Sequence, residues 1–224
     1  MKKHCFRRSI IIPALCLAVL SLSIGTIRAD DEDWVYEISQ SLKKDLGAGW
    51  KGSLKGELKF DDDISNFAER YIEAGVSRKL VSWFELGLKY RYLQAKKGDD
   101  WKYENRPKVS GTFLHKVAGV KLSNRNQFEY RSREDASSMW RFKTRIKAVY
   151  PTTLLGWKCE PFVADEVRFD NDADRFNKNR IQVGISGDLV ENFSLEVYYK
   201  RDSSRKNGKW TDSNILGTGL ALKF

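Results

Sequence analysis

Cysteine and histidine are scarce in this chain, with three of the first and two of the second among 224 residues. Beyond the first thirty positions only Cys159 and His115 remain, so no internal disulfide framework can staple the body of the chain. Cys159 also has no histidine near it in sequence, which argues against a metal ligand or an activated thiol there. Long apolar runs are missing too. After Ala29 the longest extend over a few residues, far short of the ~20 that a spanning helix needs. A chain of this kind can sit in a bilayer only as a closed β-barrel, which leaves no backbone group unpaired in lipid.

The one longer apolar run, Ile10 to Ile24, follows Lys2, Lys3, Arg7 and Arg8 and precedes Ala29 and the acidic stretch Asp30-Asp31-Glu32-Asp33. This three-part layout predicts a cleaved secretory signal peptide over residues 1–29 and one domain over residues 30–224. Cys16 sits in mid-run without a lipoprotein pattern, so no lipid anchor is expected. The leader carries five basic residues and no acidic ones, and its removal leaves 35 basic against 30 acidic side chains. Half of the formal +10 therefore departs with the leader. The clusters that stay, Lys96-Lys97 and Arg205-Lys206, are too small for a nucleic-acid footprint.

What the chain has in quantity is alternation. In Trp50 to Phe60 the residues Trp50, Leu54, Leu58 and Phe60 share one face, and Lys51, Lys55, Glu57 and Lys59 share the other. A strand sorts these residues cleanly where a helix would scatter them. The sorting recurs from Phe84 to Tyr92, from Val120 to Arg131 and from Trp140 to Tyr150, with weaker copies elsewhere, including Trp34 to Leu42. Several apolar faces end in aromatics at both ends, as the interfacial girdles of a membrane barrel do. The last stretch, Leu216 to Phe224, resembles the C-terminal strand of bacterial outer-membrane barrels, which implies Phe224 as part of the signal read by the barrel-assembly machinery.

Eleven such segments can be counted, whereas bacterial single-chain barrels have even strand numbers. Eleven would force the first and last strands to close in parallel. The expectation is therefore an all-β antiparallel transmembrane barrel of about 10–12 strands, ten or twelve being favoured, with the Trp34 to Leu42 segment a candidate to lie off the wall. Short connections such as Lys43 to Gly49 and His115 to Gly119 alternate with polar ones such as Lys96 to Lys102, Ser132 to Ser138 and Asp202 to Ser213. That alternation suggests short periplasmic turns and longer outside loops.

If the apolar faces meet lipid, the lumen receives 17 cations and 7 anions. The candidate charge network comprises Arg91, Arg106, Arg125, Glu129, Arg131, Arg141, Arg145, Glu166, Arg180 and Glu196. Such an interior either seals itself, with carboxylates bridged by several cations, or leaves a wet, anion-favouring pore.

The order and spacing of Arg106-Pro107, the Asn124 to Arg131 segment, Arg141 to Arg145, Pro161 to Glu166 and Asn179 to Gly184, with Phe224, resemble the domain-of-unknown-function 2490 family of exported barrels. The resemblance implies a barrel in the bacterial outer membrane and brings no activity with it. The expected role is structural or that of a small passive pore, in a monomer whose partners are outer-membrane lipid, lipopolysaccharide and the assembly machinery. A lipid-modifying enzyme and a receptor or adhesin acting through the outside loops are the alternatives. No enzyme, cofactor or metal is expected. His115 lies by a short turn and across the strand from Ser110. Asp170 to Asp174 starts like a calcium loop, but Arg175 and Ile181 replace its required Gly and Glu.

Overall fold

The computed structural model describes residues 33–171, 175–206 and 209–224, so the leader expected over residues 1–29 lies outside the described residues. Twelve strands follow one another: β1 (Asp33–Gly47), β2 (Trp50–Asp61), β3 (Asn66–Val81), β4 (Phe84–Lys97), β5 (Asp100–Val117), β6 (Val120–Arg133), β7 (Met139–Val149), β8 (Thr152–Leu154), β9 (Trp157–Asp170), β10 (Arg175–Val190), β11 (Phe193–Lys206) and β12 (Lys209–Lys223). Each pairs with the next in antiparallel fashion, except that three-residue β8 only folds back on β9 while β7 pairs with β9 directly. The barrel wall is thus eleven strands, with β8 a small hairpin at its rim.

An odd number closes only if one neighbouring pair is parallel, and that pair is β1 with β12. It runs through eleven residue pairs from Asp33 with Ser213 to Lys43 with Lys223. Beyond these, the Phe224 amide donates to the Lys43 carbonyl at 2.9 Å. The favoured counts of ten or twelve are therefore corrected to eleven, and the Trp34 to Leu42 segment belongs to the wall. The physical reason is edge satisfaction. Left out, β1 would expose a row of unpaired amides, and a parallel ladder pairs them nearly as well as an antiparallel one.

The turns at one end are tight. Val117 pairs with Val120 across Ala118 and Gly119, whose φ values of 49° and 87° are those of a two-residue turn matched to strand twist. The opposite end differs from expectation. The β4–β5 connection is only Gly98 and Asp99, and β11 and β12 continue to Lys206 and from Lys209, so two of the stretches expected as long outside loops are mostly strand, while residues 134–138 between β6 and β7 remain a loop. Alternating side chains carried the ladder further than composition suggested. At about 3.3 Å per residue, a 14-residue strand tilted by ~40° rises about 35 Å, taller than the ~25 Å apolar band of such barrels.

Burial is inverted relative to a soluble protein. Ile146, on β7, is 59% exposed on the outside, while Glu129, on β6, is 0% exposed inside. Exposed Trp50, Trp83 and Phe113 ring the tight-turn end, and Trp34, Trp140, Phe176 and Trp210 ring the other. Among the described residues no helix is long and apolar enough to cross a membrane, which leaves a β-barrel crossing open.

Candidate functional site in the barrel lumen

Because the side-chain period is two, every second residue of each wall strand points inward, and most of those residues carry charge. A charge removed from water must be paired or bear a large desolvation cost, so the lumen organises itself around its carboxylates. Seven of them are buried: Glu37, Glu73, Glu104, Glu129, Glu166, Asp170 and Asp202. Glu73 of β3 accepts from Lys108 at 2.7 Å, Arg91 at 2.9 Å and Lys89 at 3.1 Å. Glu129 accepts from Lys143 at 2.7 Å and Gln127 at 3.2 Å, with the Arg141 guanidinium 3.6 Å away. Glu104 is shared by Arg106 at 2.7 Å and Arg131 at 2.8 Å. Arg168 at 3.0 Å and Arg125 at 3.2 Å hold Glu166. Asp170 takes Arg141 at 2.6 Å and Asn177 at 2.8 Å, and Asp202 takes Arg180 at 2.6 Å and Lys178 at 2.7 Å. On β1, Glu37 accepts from the Tyr198 hydroxyl at 2.8 Å and from Lys200 of β11, across β12.

Together these pairs form a girdle of side chains that spans alternate strands, Lys108 of β5 reaching Glu73 of β3 over β4. Lys108, Arg106 and Lys143 are each buried within it, so the lumen is packed at this level. Tyr198 completes the packing by lying flat on Gly217. A Cβ there would collide with its ring, so only glycine lets the ring reach Glu37.

Of the residues expected in the network, Arg91, Arg106, Arg125, Glu129, Arg131, Arg141, Glu166 and Arg180 meet in the girdle. Two stand apart. Arg145 donates to the Gln182 amide oxygen at 2.7 Å rather than to a carboxylate, and Glu196 meets Lys147 loosely, at 3.8 Å. Sequence reading missed Glu37, Glu104, Asp170 and Asp202, because the segments were drawn too short at one end or, for β1, set off the wall. The signal was available in parity: Asp170 continues the row of Glu166 and Arg168, and Asp202 continues that of Glu196 and Lys200.

Below the girdle, toward the tight-turn end, lies a cavity of about 770 Å³. Ten of its lining residues are Lys or Arg and three are Asp or Glu, and Lys55, Lys89, Arg125, Lys200 and Lys223 among them reach carboxylates outside this lining. Arg125, Arg145, Lys147 and Lys200 form its inner end, and Lys43, Lys51 and Lys223 its mouth. Ser110 lines this cavity, whereas His115 is exposed on the outer face, so the two do not meet. Asp172 to Asp174 lie outside the described residues, and among the described ones no cluster could hold a metal ion. Cys159 is buried and unpaired.

A family model described as "Protein of unknown function (DUF2490)" matches residues 36–213. The chain belongs to this family. No curated protein matches it. Among solved structures, an anion-selective porin from Comamonas acidovorans is similar at 14% identity and a TM-score of 0.40. The match covers 81% of this chain and 54% of the porin, so the chain spans about half of the porin's length. The β-domain of the Bordetella autotransporter Brka is similar at 9% identity and a TM-score of 0.45, over 75% of this chain and 81% of that one.

Proposed function

We propose that this member of the family is a monomeric barrel of the bacterial outer membrane, sealed across its middle and structural in role. The observation that carries the membrane reading is the inversion of burial, Ile146 outside at 59% exposure against Glu129 inside at 0%. In water such a surface would aggregate; against lipid it is the low-energy arrangement. On this reading the tight turns face the periplasm, the apolar wall contacts outer-membrane lipid and lipopolysaccharide, and Phe224 takes part in recognition by the assembly machinery. The role is not enzymatic.

Sealing rests on the girdle. A permeant ion would have to displace several charge-assisted hydrogen bonds in a packed region, and these are stronger than neutral ones. The purified barrel in planar bilayers is expected to stay silent. A variant with Glu73→Ala and Glu129→Ala, which frees Lys89, Arg91, Lys108 and Lys143 from their carboxylates, is expected to give anion-biased steps. Regular steps from the wild type would instead support the second expected role, a small passive pore. Recovery of the protein in the soluble periplasmic fraction would defeat the membrane reading itself, and altered lipid A or phospholipid profiles on overexpression would defeat the non-enzymatic one.

A further inference from the structure

The girdle is built around carboxylates, whereas the cavity beneath it is lined mainly by cations. In the girdle every carboxylate has at least two donors, so no buried anion there lacks a cation. Of the ten cations lining the cavity of about 770 Å³, Lys43, Lys44, Lys51, Arg145 and Lys147 make, among the described residues, no ion pair with a carboxylate outside the lining, which itself supplies three acidic side chains. Like charges confined this way repel, and nothing in the closure of the wall requires them, since the inward positions of Ser39, Ser53, Ser77 and Ser123 lining the same cavity are uncharged.

The donors at the inner end are also underused. A guanidinium offers five N–H groups in a fork that fits the paired oxygens of a carboxylate or phosphate. Arg145 spends one of them on Gln182 and, among the described residues, has no carboxylate within ion-pair distance, Glu166 and Glu196 acting on it only from further away. Lys147 meets Glu196 only at 3.8 Å, and Arg125 shares Glu166 with the closer Arg168. The cavity size falls within the ~300–1,000 Å³ of small-molecule sites.

We propose that this vestibule is a binding site for a soluble, multiply charged anion bearing phosphate or carboxylate groups, entering from the tight-turn end. Arg145 and Lys147 clasp the anionic groups at the inner end, and Lys43 and Lys51 at the mouth attract the ligand and make its capture salt-dependent. The proposal uses the lumen geometry alone, so it holds whether or not the barrel conducts.

The test is calorimetric titration of the full barrel in neutral detergent micelles with sodium tripolyphosphate at low salt. Saturable binding with a stoichiometry near one is expected. It should weaken at least tenfold in the Arg145→Gln, Lys147→Gln double variant and partly recover when Arg145→Lys replaces Arg145→Gln. Lys121→Gln, which removes a cation paired with Glu160 away from the cavity lining, should leave binding unchanged. Absence of saturable binding to the wild type overturns the proposal, and so does an equal loss in Lys121→Gln, which would mean diffuse attraction to a basic barrel. If the double variant fails to fold, as judged by heat-modifiable gel migration, the wild-type titration and Arg145→Lys still decide.

Discussion

Single residues in this barrel differ widely in what they hold, and the difference follows from their partners rather than from their charge. Glu129 is fully enclosed and pairs with Lys143, with Arg141 close by, whereas Glu196 faces the vestibule and meets one lysine loosely. Removing a buried partner strands the opposite charge, at a cost of about 3–5 kcal/mol, while exposed pairs contribute about 0–1 kcal/mol. Glu129→Ala is therefore expected to lower stability by about 3 kcal/mol, and Glu196→Ala by less than about 1 kcal/mol. Urea unfolding in lipid vesicles measures both. Equal effects would mean that the girdle is as hydrated as the vestibule.

At the scale of a strand, the two faces obey two solvents. β7 shows it most simply: Trp140 and Ile146 point out, and Arg141, Lys143, Arg145 and Lys147 point in. A cation moved to the outward face near mid-bilayer costs about 2–4 kcal/mol in barrels. Ile146→Arg is expected to destabilise the vesicle-embedded protein by about that amount, and substantially less in detergent micelles, where the head group reaches water easily. A soluble protein would show no such dependence on the host phase. How far this strand logic was legible is itself uneven. The period-two pattern located every wall strand, but it ended β4 and β11 too early and began β5 and β12 too late, because Lys, Asp and Ser at strand ends look like loop composition.

The whole molecule adds a constraint that no strand contains. Eleven strands leave β1 and β12 running the same way, and their parallel seam places Ser39 opposite Gly219 on the lumen side. In a Ser39→Cys, Gly219→Cys variant with Cys159→Ala, a disulfide is expected to form under mild oxidation, since paired Cα atoms of adjacent strands fall within the ~4.4–6.8 Å that a disulfide spans. Altered gel mobility reversed by reductant reports it. A barrel closed by β2 and β12, with β1 outside, would leave these two positions unlinked.

By itself the sequence determined which side chains face lipid and which face the lumen, because that choice is local and repeats every two residues. It also carried the family resemblance and most of the Arg and Glu positions of the girdle. Only the tertiary structure decided the strand number, the parallel closure, which cations share which carboxylate, and that a girdle built on carboxylates gives way to a vestibule lined mainly by cations. Those features depend on register between strands distant in sequence. Glu37 and Lys200 lie 163 residues apart and meet only when the wall closes.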